Sequence, residues 1–227
     1  MSPRAQTSPR KAPRQARSEA TVDAVLEATA RVLVKVGYDH ASTNRIAAEA
    51  GVSVGSLYQY FPSKEALVAA LVDRHMNEMI EVFEANFDAL HTVPLPIAAY
   101  ALVKVMLEAH RVNPKLHKVL VEQVPRVGRL NRLNEIESRV GTRVRAYFES
   151  RVGELRTPDL DLAVFVCVYT VEGLTHAAVL EHPEYLQDDK LAREITAVLL
   201  RYVMKNPPDD AALAGEPPAS GKPGGRG

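Results

Sequence analysis

Apolar residues in this chain recur at intervals of three and four from Glu19 to Lys205, and that periodicity restricts the fold more than its composition does. In the first such stretch Val22, Val25, Leu26, Ala30, Leu33 and Val34 fall together along a helix, and Gly37 supplies a stop in the manner of a C-cap. Two short segments follow, over 43–50 and 53–60. A fourth helix opens at Pro62-Ser63-Lys64-Glu65, with Ser63 as N-cap and Glu65 suited to the positive end of the helix dipole. It is expected to run to about residue 89, before the punctuation around Pro94 and Pro96. Later helices are expected over 97–112, briefly after Asn113-Pro114, then over 129–152, 158–181 and 187–205. No segment alternates with period two, so the expected fold class is all-α.

Composition narrows the setting. A chain of 227 residues, 46% hydrophobic and 25% charged, has enough material for one sizeable core or two small ones. Its formal net charge is zero, so no global basicity points to nucleic acid. A lone cysteine, Cys167, excludes an intramolecular disulfide framework and suits a reducing compartment. The longest apolar run, 162–171, is about half of what a bilayer span requires, and Glu172 and His176 follow closely. The basic start leads into no apolar stretch of the secretory type. The expectation is a cytoplasmic protein without a membrane partner. Residues 1–17 carry Arg4, Arg10, Lys11, Arg14 and Arg17 with no acidic residue and are expected to be a disordered basic arm. Residues 207–227, rich in Pro, Gly and Ala, are expected to be a disordered tail.

The stretch from Thr43 to Tyr58 carries the function. Thr43 is read as the cap of a helix whose inward face is Ile46, Ala47 and Ala50, and the small Ala47 lets a second helix cross close above it. Gly51 allows the left-handed conformation of a sharp turn, and Ser53 caps a second helix with Leu57 and either Tyr60 or Phe61 facing inward. Two short helices joined by a Gly-containing turn form a helix-turn-helix, whose second helix enters the DNA major groove. The bland alternative is a plain pair of core helices.

At these residues the sequence resembles the TetR family of transcriptional regulators. The similarity runs from about Ala20 to Leu71, through the stretch from Ala28 to Tyr38, Thr43-Asn44-Arg45-Ile46-Ala47, Ala50-Gly51-Val52-Ser53, Gly55-Ser56-Leu57-Tyr58-Gln59-Tyr60-Phe61 and Ser63-Lys64-Glu65-Ala66-Leu67. The resemblance implies a homodimer on a palindromic operator in double-stranded DNA, usually a repressor released by a small-molecule inducer. It implies phosphate contacts for Tyr58, Lys64 and Thr43, with Asn44 and Arg45 beside them. Arg45 is otherwise a solvated position. It puts Ser53, Val54, Gly55, Ser56 and Gln59 on the groove-facing part of the recognition helix, where Ser and Gln hydrogen-bond base edges. Val54 is equally readable as core, Tyr60 as core or contact, and Phe61 mainly as core. The basic arm either follows the groove or backbone or is an inert tail. The implied domains are the arm at 1–17, a DNA-binding domain at 18–66, a ligand-binding and dimerisation domain at 67–206, and the tail at 207–227.

In the second half, the segment over 158–181 is apolar nearly all round and must be buried on several faces. The resemblance makes it and the last helix a four-helix dimer interface, through Val166, Gly173, Ala177, Leu180, Leu191, Ile195, Val198, Leu199 and Tyr202. An inducer pocket between the central helices has Tyr100, Met106, His110, Arg143, Tyr147, Phe165, Cys167, Tyr169 and His176 as candidates. Their apolar mixture suits a hydrophobic ligand. Catalysis is not expected: the seven histidines form no HExxH or Cys-His pattern and there is no Gly-rich phosphate loop, so neither cofactor nor metal is implied. The rival within DNA binding is a regulator without inducer, whose second domain only dimerises or binds a protein.

Overall fold

The computed structural model describes the backbone of residues 16–90, 92–123 and 130–209, and the side chains within them apart from 16, 17 and 130–137. Residues 1–15 of the arm expected over 1–17 and residues 210–227 of the tail expected over 207–227 lie outside the described residues, as does Arg129 at the expected start of the seventh helix. Among the described residues the elements are helical: α1 (Ala16–His40), α2 (Thr43–Ala50), α3 (Val54–Tyr60), α4 (Lys64–Leu90), α5 (Leu95–Arg111), α6 (Pro114–Gln123), α7 (Leu130–Glu149), α8 (Leu160–Leu180) and α9 (Lys190–Val203), with a 3-10 turn at Pro183–Leu186 before α9. The fold is all-α. α1 opens at Ala16, one residue before the end expected for the arm.

The chain divides into two compact units. The first comprises residues 1–81 and 112–138, the second 82–111 and 139–227. The first is built on one core. Val25, Leu26, Leu33, Ile46, Ala47, Leu57, Phe61, Leu67, Val68, Leu71 and Val72 are buried together, with Leu120 contributed by α6. Removing one of these large side chains costs about 2–5 kcal/mol, which is why the short α3, below the length at which helices are stable alone, holds its shape. Between α4 and α6, His75 Nε2 and His117 Nδ1 share a hydrogen bond at 2.8 Å.

α1 is broken at Gly37, whose φ of 73° and ψ of 172° lie in a region open essentially to glycine. The stop is therefore a sharp redirection rather than an αL cap. The extended chain at Ser42 then starts α2. Ser42, not Thr43, is its N-cap: Arg45 N–H donates to Ser42 Oγ at 3.3 Å. The residue immediately before the helix has the extended backbone that a capping hydroxyl requires, while Thr43 is already helical.

In the second unit α5 packs on α8 and α9, and α8 on α9. Ala163, Val164, Cys167, Ala178 and Val179 of α8 and Ile195, Leu199, Leu200 and Val203 of α9 are buried. Gly141 of α7 faces α8, and a Cβ there would meet Val164 Cγ1 at 3.6 Å, an ordinary contact. Asp189, just before α9, receives hydrogen bonds from Lys104 Nζ (2.9 Å) and Tyr100 OH (3.0 Å), tying α9 to α5. These bonds hold its carboxyl below the usual range. α8 exceeds the half-span expected from its longest apolar run: it is 21 residues long with a mean hydropathy of 1.6, enough by length and composition to cross a bilayer, and 33% of that window is buried within the chain.

Candidate nucleic-acid interface

Local chemistry sets the helix-turn-helix before any packing is considered. Gly51 takes φ 69° and ψ 26°, and the chain closes over it in a Schellman motif: Val52 N–H donates to Ala47 O (3.0 Å) and Gly51 N–H to Ala48 O (3.2 Å). Ser53 Oγ then accepts from Ser56 N–H at 3.0 Å and caps α3. Ser63 Oγ does the same for α4 through Ala66 N–H at 3.2 Å. Three serines thus start three successive helices. Arg31 of α1 reaches Glu49 of α2 at 2.7 Å, fixing α2 along α1.

These constraints leave α3 with one buried and one free side. Leu57 is 0% and Phe61 2% exposed, both in the core. Val54 and Tyr58 are 37% and 40% exposed, and Gly55 and Gln59 share that outward side. The exposed positions are spaced i, i+1, i+4, i+5, which is one face of a helix. Val54 therefore belongs to the outward face rather than the core, and Phe61 is core.

Around this face the hydroxyls are already organised. Thr43 Oγ1 and Tyr58 OH stand 3.1 Å apart, bridging α2 and α3, so one phosphate oxygen could accept from both. Ser56 Oγ is engaged with Ser53 Oγ at 2.8 Å, which ties Ser56 to the cap. Asn44 and Arg45 are exposed, with Arg45 Nη1 donating to His40 O at 3.2 Å. Lys64 Nζ donates to Tyr38 O at 2.9 Å and sits 4.2 Å above the Tyr38 ring, a cation–π placement that fixes the ammonium at the start of α4. Tyr38 OH in turn donates to Glu65 at 3.3 Å. Tyr60, grouped above with the DNA contacts, is otherwise occupied: its ring packs against the core and its hydroxyl pairs with Ser18 Oγ at 2.9 Å. Sequence periodicity misses Ser18, because its partner is forty-two positions away.

The candidate pocket residues of the second unit differ in their surroundings. His110 and His176 do meet, with ring centroids 5.3 Å apart, and His110 Nδ1 bonds Met106 O at 2.7 Å. Burial lowers the His176 pKa and pushes the Cys167 thiol up to about 12, so neither group is charged at neutral pH. Tyr147 is buried with its hydroxyl on Val93 O (2.8 Å), and burial raises its pKa. Tyr100 is committed to Asp189. Arg143 lies on an outer face, paired with Asp88 and Glu84. Phe165 and Tyr169 point outward, their rings tilted at 43° with centroids 4.7 Å apart. Thr175, beside His176 in sequence and missed from the sequence, is fully buried, and its hydroxyl has no hydrogen-bond partner among the described residues. Of the expected interface residues, Ile195 and Leu199 face their own core, because α9 already buries that side against α5 and α8. Val198 and Gly173 are exposed, while Val166, Ala177, Leu180, Leu191 and Tyr202 are half-buried.

A glycine turn, serine-capped helices and a polar outward side on the second helix define a helix-turn-helix DNA-binding protein. Residues 25–71 match the model for bacterial regulatory proteins of the tetR family, and residues 94–202 match the tetracyclin repressor-like C-terminal domain. The chain belongs to the TetR family, and it is a transcriptional regulator rather than an enzyme. It is 32% identical over 84 residues to the nucleoid occlusion factor SlmA of Haemophilus ducreyi, covering 37% of this chain and 41% of that one. The chain thus spans about two fifths of the first curated relatives it matches. A solved TetR-family regulator from Mesorhizobium loti is similar with a TM-score of 0.68 at 18% identity, over 84% of this chain and 100% of that one. SmeT, repressor of a multidrug efflux pump of Stenotrophomonas maltophilia and solved as a complex with triclosan, is similar with a TM-score of 0.62 at 20% identity, over 82% and 93%.

Proposed function

We propose that this regulator is a cytoplasmic homodimeric repressor that binds a palindromic operator and leaves it when a small hydrophobic inducer binds its second domain. The observation that carries DNA reading is the division of α3: Leu57 and Phe61 anchor it, while Val54, Gly55, Tyr58 and Gln59 are offered outward. Gln59 reads a base edge, and Thr43, Tyr58, Arg45, Asn44 and Lys64 hold the backbone. Dimerisation is supported by the outward apolar residues of α8 and α9, Leu162, Phe165, Tyr169, Leu174 and Val198. A two-fold partner covers these and supplies the second half-site. Inducer control is supported by the contact of buried His110 with half-buried His176 and by the buried Thr175 hydroxyl, which has no hydrogen-bond partner among the described residues. The SmeT–triclosan complex shares this fold and supports the same reading.

The likeness to a nucleoid occlusion factor favours a second reading, in which the protein binds DNA with no inducer. One experiment separates the two. Operator found by genome-wide footprinting is bound by the purified protein, and a panel of hydrophobic compounds is titrated in. Release by a compound, lost in Thr175→Val, supports the first reading. Retention on DNA throughout, with an intact dimer, supports the second. Absence of any footprint refutes both.

A further inference from the structure

Val54, the first residue of α3, turns an isopropyl group outward: it is 37% exposed, while Val52 two positions earlier packs against the core. A lone exposed valine is ordinary on a protein surface, but the neighbours of this one narrow what it can touch. The hydroxyls around it are engaged. Ser53 Oγ caps α3 and is bonded to Ser56 Oγ, and Tyr58 OH stands 3.1 Å from Thr43 Oγ1. Gly55, next in the chain, adds no side chain, and a Cβ there would meet Ser53 Oγ at 3.9 Å, an ordinary contact. From its start, the outward side of α3 at 54, 55, 58 and 59 therefore presents a branched hydrocarbon, bare backbone, a phenol and an amide.

Resting on the reading of α3 as the major-groove helix, we infer that Val54 selects a thymine by packing on its C5-methyl group. Base edges in the major groove carry hydrogen-bonding groups throughout, and their one apolar mark is that methyl. Packing the isopropyl group on it removes apolar surface of both partners from water. Against the amino group of cytosine or adenine, the same isopropyl group would bury a donor without a partner. Attraction and rejection therefore favour the same base. Two further features suit so short a side chain. Gly55 lets the backbone close on the base edges, as a valine reaching little beyond its own Cβ requires. The Ser53 cap fixes the first turn, and valine in a helix keeps nearly one χ1 rotamer, so little freedom is lost on contact. Gln59, exposed on the same side, takes the polar part of the readout, and Val54 takes the apolar part.

The test compares the unaltered full chain with Val54→Ala on synthetic duplexes of the operator found by footprinting, by fluorescence anisotropy at one fixed salt concentration. In one half-site each thymine in turn is replaced by deoxyuridine, which removes the methyl group and leaves O4 and the base pair intact. The unaltered chain should lose about 4-fold in affinity at one thymine, equivalent to one buried methyl group at about 0.8 kcal/mol. Cytosine at that position should bind about 10-fold more weakly than thymine, and 5-methylcytosine should recover part of the loss. In Val54→Ala the thymine and deoxyuridine duplexes should differ by less than about 2-fold. The variant should fold, because Val54 is exposed and alanine is the better helix former. A lowered Tm would place Val54 in the core and overturn the inference. So would a chain insensitive to every thymine methyl, or a sensitive thymine that stays equally sensitive in Val54→Ala. If Val54→Ala, Tyr58→Phe and Gln59→Ala all bind every duplex as the unaltered chain does, the reading of α3 itself fails instead.

Discussion

Gly55→Ala separates stability from recognition in opposite directions. Gly55 is the second residue of α3, and a Cβ built on it would meet one heavy atom within 4 Å, Ser53 Oγ at 3.9 Å, an ordinary contact. Its φ is not positive, so alanine fits the backbone without strain. Relief of the helix cost of glycine should then stabilise the protein by about 0.5–1 kcal/mol. For a chain of this size that is a rise in Tm of about 1–4 °C. In the proposed function the same methyl group projects from the face that enters the groove, where it must displace either backbone or base. Operator affinity should fall at least about 10-fold, or about 1.4 kcal/mol. A thermal melt by circular dichroism and anisotropy on the operator at one fixed salt concentration read the two effects from one preparation. A lowered Tm would show that the space around Gly55 is not free. A raised Tm with unchanged affinity would show that the backbone of α3 does not approach DNA closely there.

Gly37→Ala should cost about 1–3 kcal/mol, because φ 73° with ψ 172° is strained for any side chain even though nothing crowds the position; a lowered denaturation midpoint with unchanged m-value checks it. Thr43→Val and Tyr58→Phe should each weaken binding several-fold on all operator variants alike, and the double variant should lose less than the sum, since the two hydroxyls lie 3.1 Å apart and the proposed contact is with one phosphate. Gln59→Ala should change the rank order of operator variants at one base pair, measured on a substitution series; an unchanged rank order removes Gln59 as a reader. His176 has its pKa depressed by burial, so the unfolded chain binds its proton first. Stability should decline as pH falls below about 6.5, and His176→Phe should flatten part of that decline in a series of urea melts.

What was legible in the sequence depended on how local its cause is. The turn at Gly51, the caps at Ser53 and Ser63 and the inward Leu57 each follow from neighbours within a few residues, so pattern and spacing suffice. The cap of α2 was off by one because Ser42 and Thr43 are both capping residues and only the backbone distinguishes them. Tyr60 was beyond reach: its hydroxyl is decided by Ser18, and no local period encodes that contact. The second unit was harder for the same reason. α8 is apolar on every side, so periodicity cannot say that Phe165 and Tyr169 point outward while Val164 and Cys167 are buried. α9 is more one-sided, yet the sequence does not say whether Ile195 and Leu199 cover their own core or a partner.

The partition of α3 also bears on how such a regulator diversifies. Val54, Tyr58 and Gln59 make few demands on the core, so exchanging them should alter stability by no more than about 0.5 kcal/mol. Leu57 and Phe61, on the other side of the same seven-residue helix, hold it in place regardless of what is displayed. On the role proposed for α3, duplicated copies of this gene would acquire new operators by single substitutions, each intermediate still folded, and a lineage would explore DNA sequences without first accumulating compensating changes elsewhere.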